Sequence, residues 1–83
     1  SVITVNVKLF AVAKDLAGLR ETTLSLEEDA AASAVVDHFV KLNPRFSPWK
    51  NYIRLAVNTE YVNPDYRLHD GDEVAIIPPV SGG

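Results

Sequence analysis

From Val2 to Leu9 apolar and polar positions alternate. Ile3, Val5, Val7 and Leu9 share one face, and Thr4, Asn6 and Lys8 share the other. A period of two built on β-branched residues is the pattern of a half-buried strand. Phe10 interrupts it by placing a large apolar group on the polar side. Ala11 to Ala17 contains good helix formers and is followed by Gly18, so one or two helical turns are expected there. Leu19 to Leu26 reads as a second strand with Thr22, Leu24 and Leu26 on one face. The acidic run Glu27-Glu28-Asp29 then precedes a helical pattern in which Ala32, Val36, Phe39 and Val40 form one apolar stripe. Asp29 is the expected N-cap, and Asn43-Pro44 is the expected stop.

Beyond the helix, Pro44 to Tyr52 reads as a connection with room for one helical turn. Ile53 to Asn58 is a strand, Asn58-Thr59-Glu60 a tight turn, and Tyr61-Val62 a short return strand. Asp70-Gly71 is a turn signal, read as a hairpin with Gly71 at positive φ. In the last strand, Glu73 to Ile77, Val74 and Ile76 face one way and Ala75 and Ile77 the other. The predicted class is α+β: a mixed sheet of four to five strands packed on one main helix, with the first and last strands side by side at its centre. One domain is expected over residues 1–79, with a flexible tail over residues 80–83.

Composition narrows the function. At 83 residues the chain is one domain's worth. Eight Lys and Arg against eleven Asp and Glu give a net charge of −3, which argues against a nucleic-acid partner, because such binding runs on phosphate neutralisation. No apolar stretch is long enough to span a bilayer, and no membrane partner is expected. Cysteine is absent. That excludes thiol nucleophiles and Cys-based metal sites, and in so small a domain it favours a cytoplasmic location over a secreted one. No apolar block of the kind that opens a signal peptide precedes the first strand.

The candidate chemistry lies at the end of the chain, Pro78-Pro79-Val80-Ser81-Gly82-Gly83. Two prolines stop the sheet ladder and stiffen the root of the tail. Two glycines then allow the backbone to enter a channel too narrow for side chains. Fully extended, Val80 to Gly83 reaches about 13–14 Å. The group at the tip is the Gly83 α-carboxylate. A frayed terminus is the bland alternative, but an inert end requires neither a stiff root on a central strand nor terminal glycines.

These residues resemble a known family. Val7-Lys8-Leu9-Phe10-Ala11, Asp15-Leu16-Ala17-Gly18, Leu55-Ala56-Val57-Asn58 and above all Asp70-Gly71-Asp72-Glu73-Val74-Ala75-Ile76-Ile77-Pro78-Pro79-Val80-Ser81-Gly82-Gly83 are similar to the ubiquitin-like β-grasp sulfur carriers of the MoaD/ThiS family. The closing run is most similar to the MoaD branch, the small subunits of molybdopterin synthase. Asn43 to Asn51 is the least family-like segment. The resemblance implies that an E1-like enzyme adenylates Gly83 with ATP and magnesium. Sulfur from a persulfide donor then displaces AMP and leaves a C-terminal thiocarboxylate, a 1-thioglycine. The loaded tail enters the large synthase subunit, in a heterotetramer of two small subunits on a dimer of large ones. There its sulfur builds the dithiolene of molybdopterin from a cyclic pyranopterin precursor. Such a carrier binds no cofactor or metal of its own and needs no catalytic side chain. Two alternatives stay open at this point: a carrier for thiazole or tRNA thiolation, and a ubiquitin-like protein modifier joined through Gly83.

Phe10, Tyr61 and Ile77 are candidate partner contacts near the tail root, because alternation puts Phe10 and Ile77 on the face away from the helix. Pro78, Pro79, Val80 and Ser81 extend that surface, and Gly82 and Gly83 form the reactive end. Lys8, Lys14, Arg20 and Arg67 are candidates for a basic ring around the patch. Asp70, Asp72 and Glu73 lack the oxygen-ligand spacing of a calcium loop and read as turn residues. His38 and His69 read as solvent-facing, with no base–nucleophile partner in view, and Trp49 as a lid on the edge of the core.

Overall fold

The computed structural model describes residues 1–79. The expectations for Val80, Ser81, Gly82 and Gly83 lie outside the described residues. Strand β1 (Val2–Leu9) leads into α1 (Ala11–Ala17), β2 (Glu21–Glu27), α2 (Ser33–Leu42), a 3-10 helix (Pro44–Trp49), β3 (Arg54–Val57), β4 (Glu60–Val62) and β5 (Glu73–Ile77). One sheet has the order β2-β1-β5-β3-β4. β1 and β5 run parallel at its centre, and all other neighbours are antiparallel. This is the mixed, helix-covered α+β sheet that the alternation predicts.

The period of two decides which side is core. Ile3, Val5, Val7 and Leu9 are buried, with Leu24, Leu55, Val57, Val74 and Ile76 beside them on the same face. Onto that face α2 presents Val35, Val36 and Phe39, and the 3-10 helix adds Phe46, whose ring centroid lies 5.8 Å from that of Phe39. A seven-residue helix such as α1 is too short to persist alone. It is held by buried Ala13 and closed by Gly18, whose N–H donates to Lys14 O at 2.9 Å and whose left-handed φ of 76° then turns the chain out of the helix.

Three readings are corrected. Asp29 does not cap α2, which starts at Ser33 with Ala32 as its N-cap residue. Asp29 sits in a turn at φ 66°, and tertiary hydrogen bonds claim the next residues before a helix can begin. Ala32 N–H donates to Tyr66 O at 2.7 Å, Ser33 N–H to Pro64 O at 2.9 Å, and Leu68 N–H to Ala30 O at 2.8 Å. Strand β2 likewise begins at Glu21 rather than Leu19.

Asp70-Gly71 does turn with Gly71 at positive φ, 86°, but it is not a hairpin. Asp72 N–H donates to His69 O at 3.1 Å, and the turn feeds β5 into the middle of the sheet instead of joining adjacent strands. Its acidic residues serve as staples. Asp70 Oδ1 accepts from Thr4 N–H at 2.8 Å. Buried Asp72 accepts from Asn58 Nδ2 at 3.0 Å and from His69 N–H at 2.8 Å. Asn58 Oδ1 in turn accepts from Glu73 N–H at 3.0 Å. The run thereby ties β1, β5 and the β3–β4 turn together. Removing the Asp72 carboxylate leaves two donors without their acceptor, at a cost of about 1–3 kcal/mol. Asp72→Ala is expected to lower the thermal unfolding midpoint by roughly 5–20 °C, at about 4–8 °C per kcal/mol for a domain of this size. An unchanged midpoint would show that the staple carries no stability.

Candidate functional site

The sheet face turned away from α2 carries the sequence-predicted patch. One rung crosses it from Lys8 through Ala75 and Ala56 to Tyr61, and the next pairs Ile77 with Arg54. Small side chains thus occupy the centre and large ones the margin, which hollows the surface. The result is a concavity of about 300 Å³ lined by Phe10, Ala56, Thr59, Tyr61, Ala75 and Ile77. On its polar margin Lys8 Nζ lies 3.2 Å from Glu73 Oε1. The Arg54 guanidinium carbon sits 4.2 Å from the centre of the Tyr61 ring, holding that exposed ring by a cation–π contact.

The structure therefore brings Phe10, Tyr61 and Ile77 together. Phe10 is 48% exposed and Tyr61 60% exposed, while Ile77 is half-buried. Strand β5 ends at Ile77. Pro78 is buried and Pro79 exposed, so the chain leaves the sheet at the margin of the concavity. Phe10 occupies the N-cap position of α1 without any side-chain cap bond. Ser, Thr, Asp and Asn are the residues that stabilise such a position. An aromatic there gives up a cap, and its ring stays half-exposed.

Of the four expected basic residues, three gather. Lys8, Lys14 and Arg20 line an adjoining hollow of about 340 Å³ beside Phe10. Arg67 does not join them: its Nη1 donates to Asp29 O at 3.1 Å in the segment that precedes α2. The histidines stand apart from the concavity. His38 packs edge-on against Phe39 at 5.3 Å between ring centroids, and His69 Nδ1 is 3.9 Å from Asp72 Oδ2. Among the described residues no group of three or more His, Asp or Glu side chains is placed to hold a metal ion. The Asp72 carboxylate already has two donors. What this face offers is an apolar hollow, a basic flank and a chain exit.

Sequence reasoning missed the floor and two residues around it. Ala56 and Ala75 carry no signal as single residues, yet they make the hollow; they could have been found by laying the strands in register. Thr59 reads in the sequence only as part of a turn, and Arg54 carries no distinguishing signal there.

A five-stranded mixed sheet wrapped on a helix, with an apolar outer face beside the exit of its last strand, defines the ubiquitin-like β-grasp class. A family model described as the ThiS family matches residues 7–83. The chain belongs to the ThiS family. It is 37% identical over 81 residues to the molybdopterin synthase sulfur carrier subunit of Chlamydomonas reinhardtii, covering 95% of this chain and 98% of the relative. Among solved structures it resembles a protein assigned as molybdopterin converting factor subunit 1 from Pyrococcus furiosus. That match has a TM-score of 0.82 and 32% identity, covering 94% of this chain and 99% of the other. It also resembles small archaeal modifier protein 1 from Haloferax volcanii, with a TM-score of 0.81 and 27% identity over 94% of this chain and 99% of the other.

Because Phe10 packs into no core and holds a capping position, Phe10→Asp is expected to leave the isolated chain folded. Its unfolding midpoint should be unchanged or raised by a few degrees, since an N-cap is worth about 1 kcal/mol. A fall of more than several degrees in a thermal melt would make Phe10 a structural residue.

Proposed function

We propose that this chain is the sulfur carrier subunit of a molybdopterin synthase and that Gly83 carries the sulfur. The observation that carries this reading is the position of Ile77. It is both the last residue of β5 and a wall of the apolar concavity, and in sequence it is followed directly by Pro-Pro and the Gly-Gly end. The name of the Chlamydomonas relative supports the pathway.

The chemistry runs through the terminus. A carboxylate is a poor electrophile until AMP makes it an activated ester. An E1-like enzyme attaches AMP to the Gly83 carboxylate from ATP, with magnesium, releasing pyrophosphate. The terminal sulfur of a persulfide donor attacks the acyl carbon and AMP departs, leaving an acyl disulfide. A second thiol of the sulfur-donating machinery then attacks the donor-side sulfur, forming a disulfide with it and releasing the C-terminal thiocarboxylate. The resulting thiocarboxylate supplies a nucleophilic sulfur in a chain without cysteine. It is delivered to the cyclic pyranopterin precursor inside the large synthase subunit, in a heterotetramer of two small and two large subunits. Phe10, Tyr61 and Ile77 seat the carrier on its partner, with Lys8, Lys14 and Arg20 facing acidic groups. Pro78 and Pro79 aim the tail, and Val80 to Gly82 thread it. In this reading the chain contributes no side chain to bond making and acts in the cytoplasm.

A second reading has one specific observation in its favour, the likeness to a small archaeal modifier protein. In that case Gly83 forms an isopeptide with a lysine of another protein. Intact-mass analysis of the chain recovered from cells separates the two. A carrier shows replacement of one oxygen by sulfur at Gly83, lost on deletion of Gly83 with no change in unfolding midpoint. A modifier shows Gly83 bonded to lysines and no sulfur. A third outcome, an unmodified Gly83 under all conditions, would contradict both.

Threading makes a further demand. Gly82→Val, tested as carrier already bearing the thiocarboxylate, is expected to slow single-turnover sulfur transfer by at least about a hundredfold, while its affinity for the large subunit changes by less than about fivefold. Transfer at the wild-type rate would refute a narrow channel and leave the glycines to be explained by recognition in the activating enzyme.

A further inference from the structure

The β3–β4 turn carries a residue that local stability would not select. Val57 pairs with Glu60, leaving Asn58 and Thr59 as a two-residue loop with φ of 51° and 75°. Both positive values mark a type I′ turn, in which Asn-Gly is the favoured pair. Asn58 suits its place and is used there, since its amide binds both Asp72 and Glu73 N–H. Thr59 does not suit its own. A β-branched residue in the left-handed region brings its side chain against its own backbone, which glycine avoids. Among the described residues nothing offsets this. Thr59 is exposed, and among the described residues its hydroxyl bonds only to the adjacent Asn58 carbonyl.

The location is informative. Thr59 lines the same concavity as Phe10, Tyr61 and Ile77. Ala11, the residue after Phe10, also has a positive φ, 51°, and lines the adjoining basic hollow. Phe10 itself occupies a cap position without capping. Unfavourable local choices at three positions therefore border this concavity or the basic hollow beside it, with Phe10 common to both. Strain of this kind persists where another requirement over-determines the residue, and the concavity that Thr59 and Phe10 both line supplies a surface for that requirement.

We infer that Thr59 is a specificity-determining contact of the carrier: its side chain completes the rim opposite Phe10 and packs against the large subunit. The inference rests on the docking role proposed above. The occupant is an apolar protrusion of that subunit, because the hollow's floor is Ala56 and Ala75 and its walls are Ile77, Phe10 and Tyr61. The strain in the free chain is retained because the side chain is needed only in the complex.

The test compares wild type with Thr59→Gly and Thr59→Asn, each measured for thermal unfolding alone and for affinity to the large synthase subunit. Glycine relieves the strain, so Thr59→Gly is expected to raise the unfolding midpoint by about 4–8 °C. It should weaken binding by about fivefold or more, the loss typical of an interface contact. Asparagine tolerates the left-handed region but lacks the threonine methyl, so Thr59→Asn should also weaken binding. Three results would overturn the inference: no stabilisation by glycine; affinity within about twofold of wild type for Thr59→Gly; or loss of binding by the glycine variant but not by the asparagine variant, which would make turn rigidity the cause. Failure of the wild-type chain to bind the large subunit at all would instead refute the docking role on which the inference rests.

Discussion

The parallel pairing of β1 with β5 is the constraint on which the rest depends. Asn6 to Leu9 lie beside Glu73 to Ile76 in one direction, so both central strands finish at the same end of the sheet. From that end β1 passes into Phe10 and α1, and β5 passes into Pro78. Had the two strands been antiparallel, the aromatic and the chain exit would lie at opposite ends of the molecule. A parallel pair cannot be joined by a tight turn, and the connection contains α2, which covers one face. The same topology therefore buries one side of the sheet and leaves the other open beside the terminus.

That open side is shaped by a division of side-chain size across the pleat. Inward positions of the central strands carry Val5, Val7, Leu9, Val74 and Ile76 and form the core. Outward positions carry Ala56 and Ala75 at the centre, with Ile77, Tyr61 and Arg54 around them. A polar outer face would have served a lone domain. A hollow with apolar walls and small residues on its floor instead admits a partner's side chains close to the backbone. The cost is carried locally, in the missing cap at Phe10 and the left-handed Thr59. The rigidity needed to hold such a surface comes from the Asp70–Glu73 staples, which fix β5 to β1 and to the β3–β4 turn.

Much of this was legible in the sequence, and the exceptions share a cause. Alternation located β1, β5 and their facing, because a strand's two faces see different solvents and a one-residue shift would exchange them. It also identified Phe10 and Ile77 as outward-facing residues. Asp29 failed as a cap because the hydrogen bonds from Ala32 and Ser33 to Tyr66 and Pro64 are non-local. Arg67 failed as a rim residue for the same reason, drawn to the Asp29 carbonyl across the fold. The acidic turn reads as a hairpin because Asp-Gly reports local geometry and not which strand comes next. Ala56, Ala75 and Thr59 stayed hidden because their role is collective. No single alanine predicts a hollow until three strands are placed in register.

The most direct test of this account is backbone hydrogen exchange of the carrier, free and bound to the large synthase subunit. Slowed exchange is predicted at Phe10–Lys14 and at Asn58–Tyr61, the two segments that border the apolar concavity, with no change over the solvent-facing turns of α2 or along the outer edge of β2. Protection centred on α2 or on the β2 edge, with residues 10–14 and 58–61 unchanged, would place the partner on another face and contradict the account.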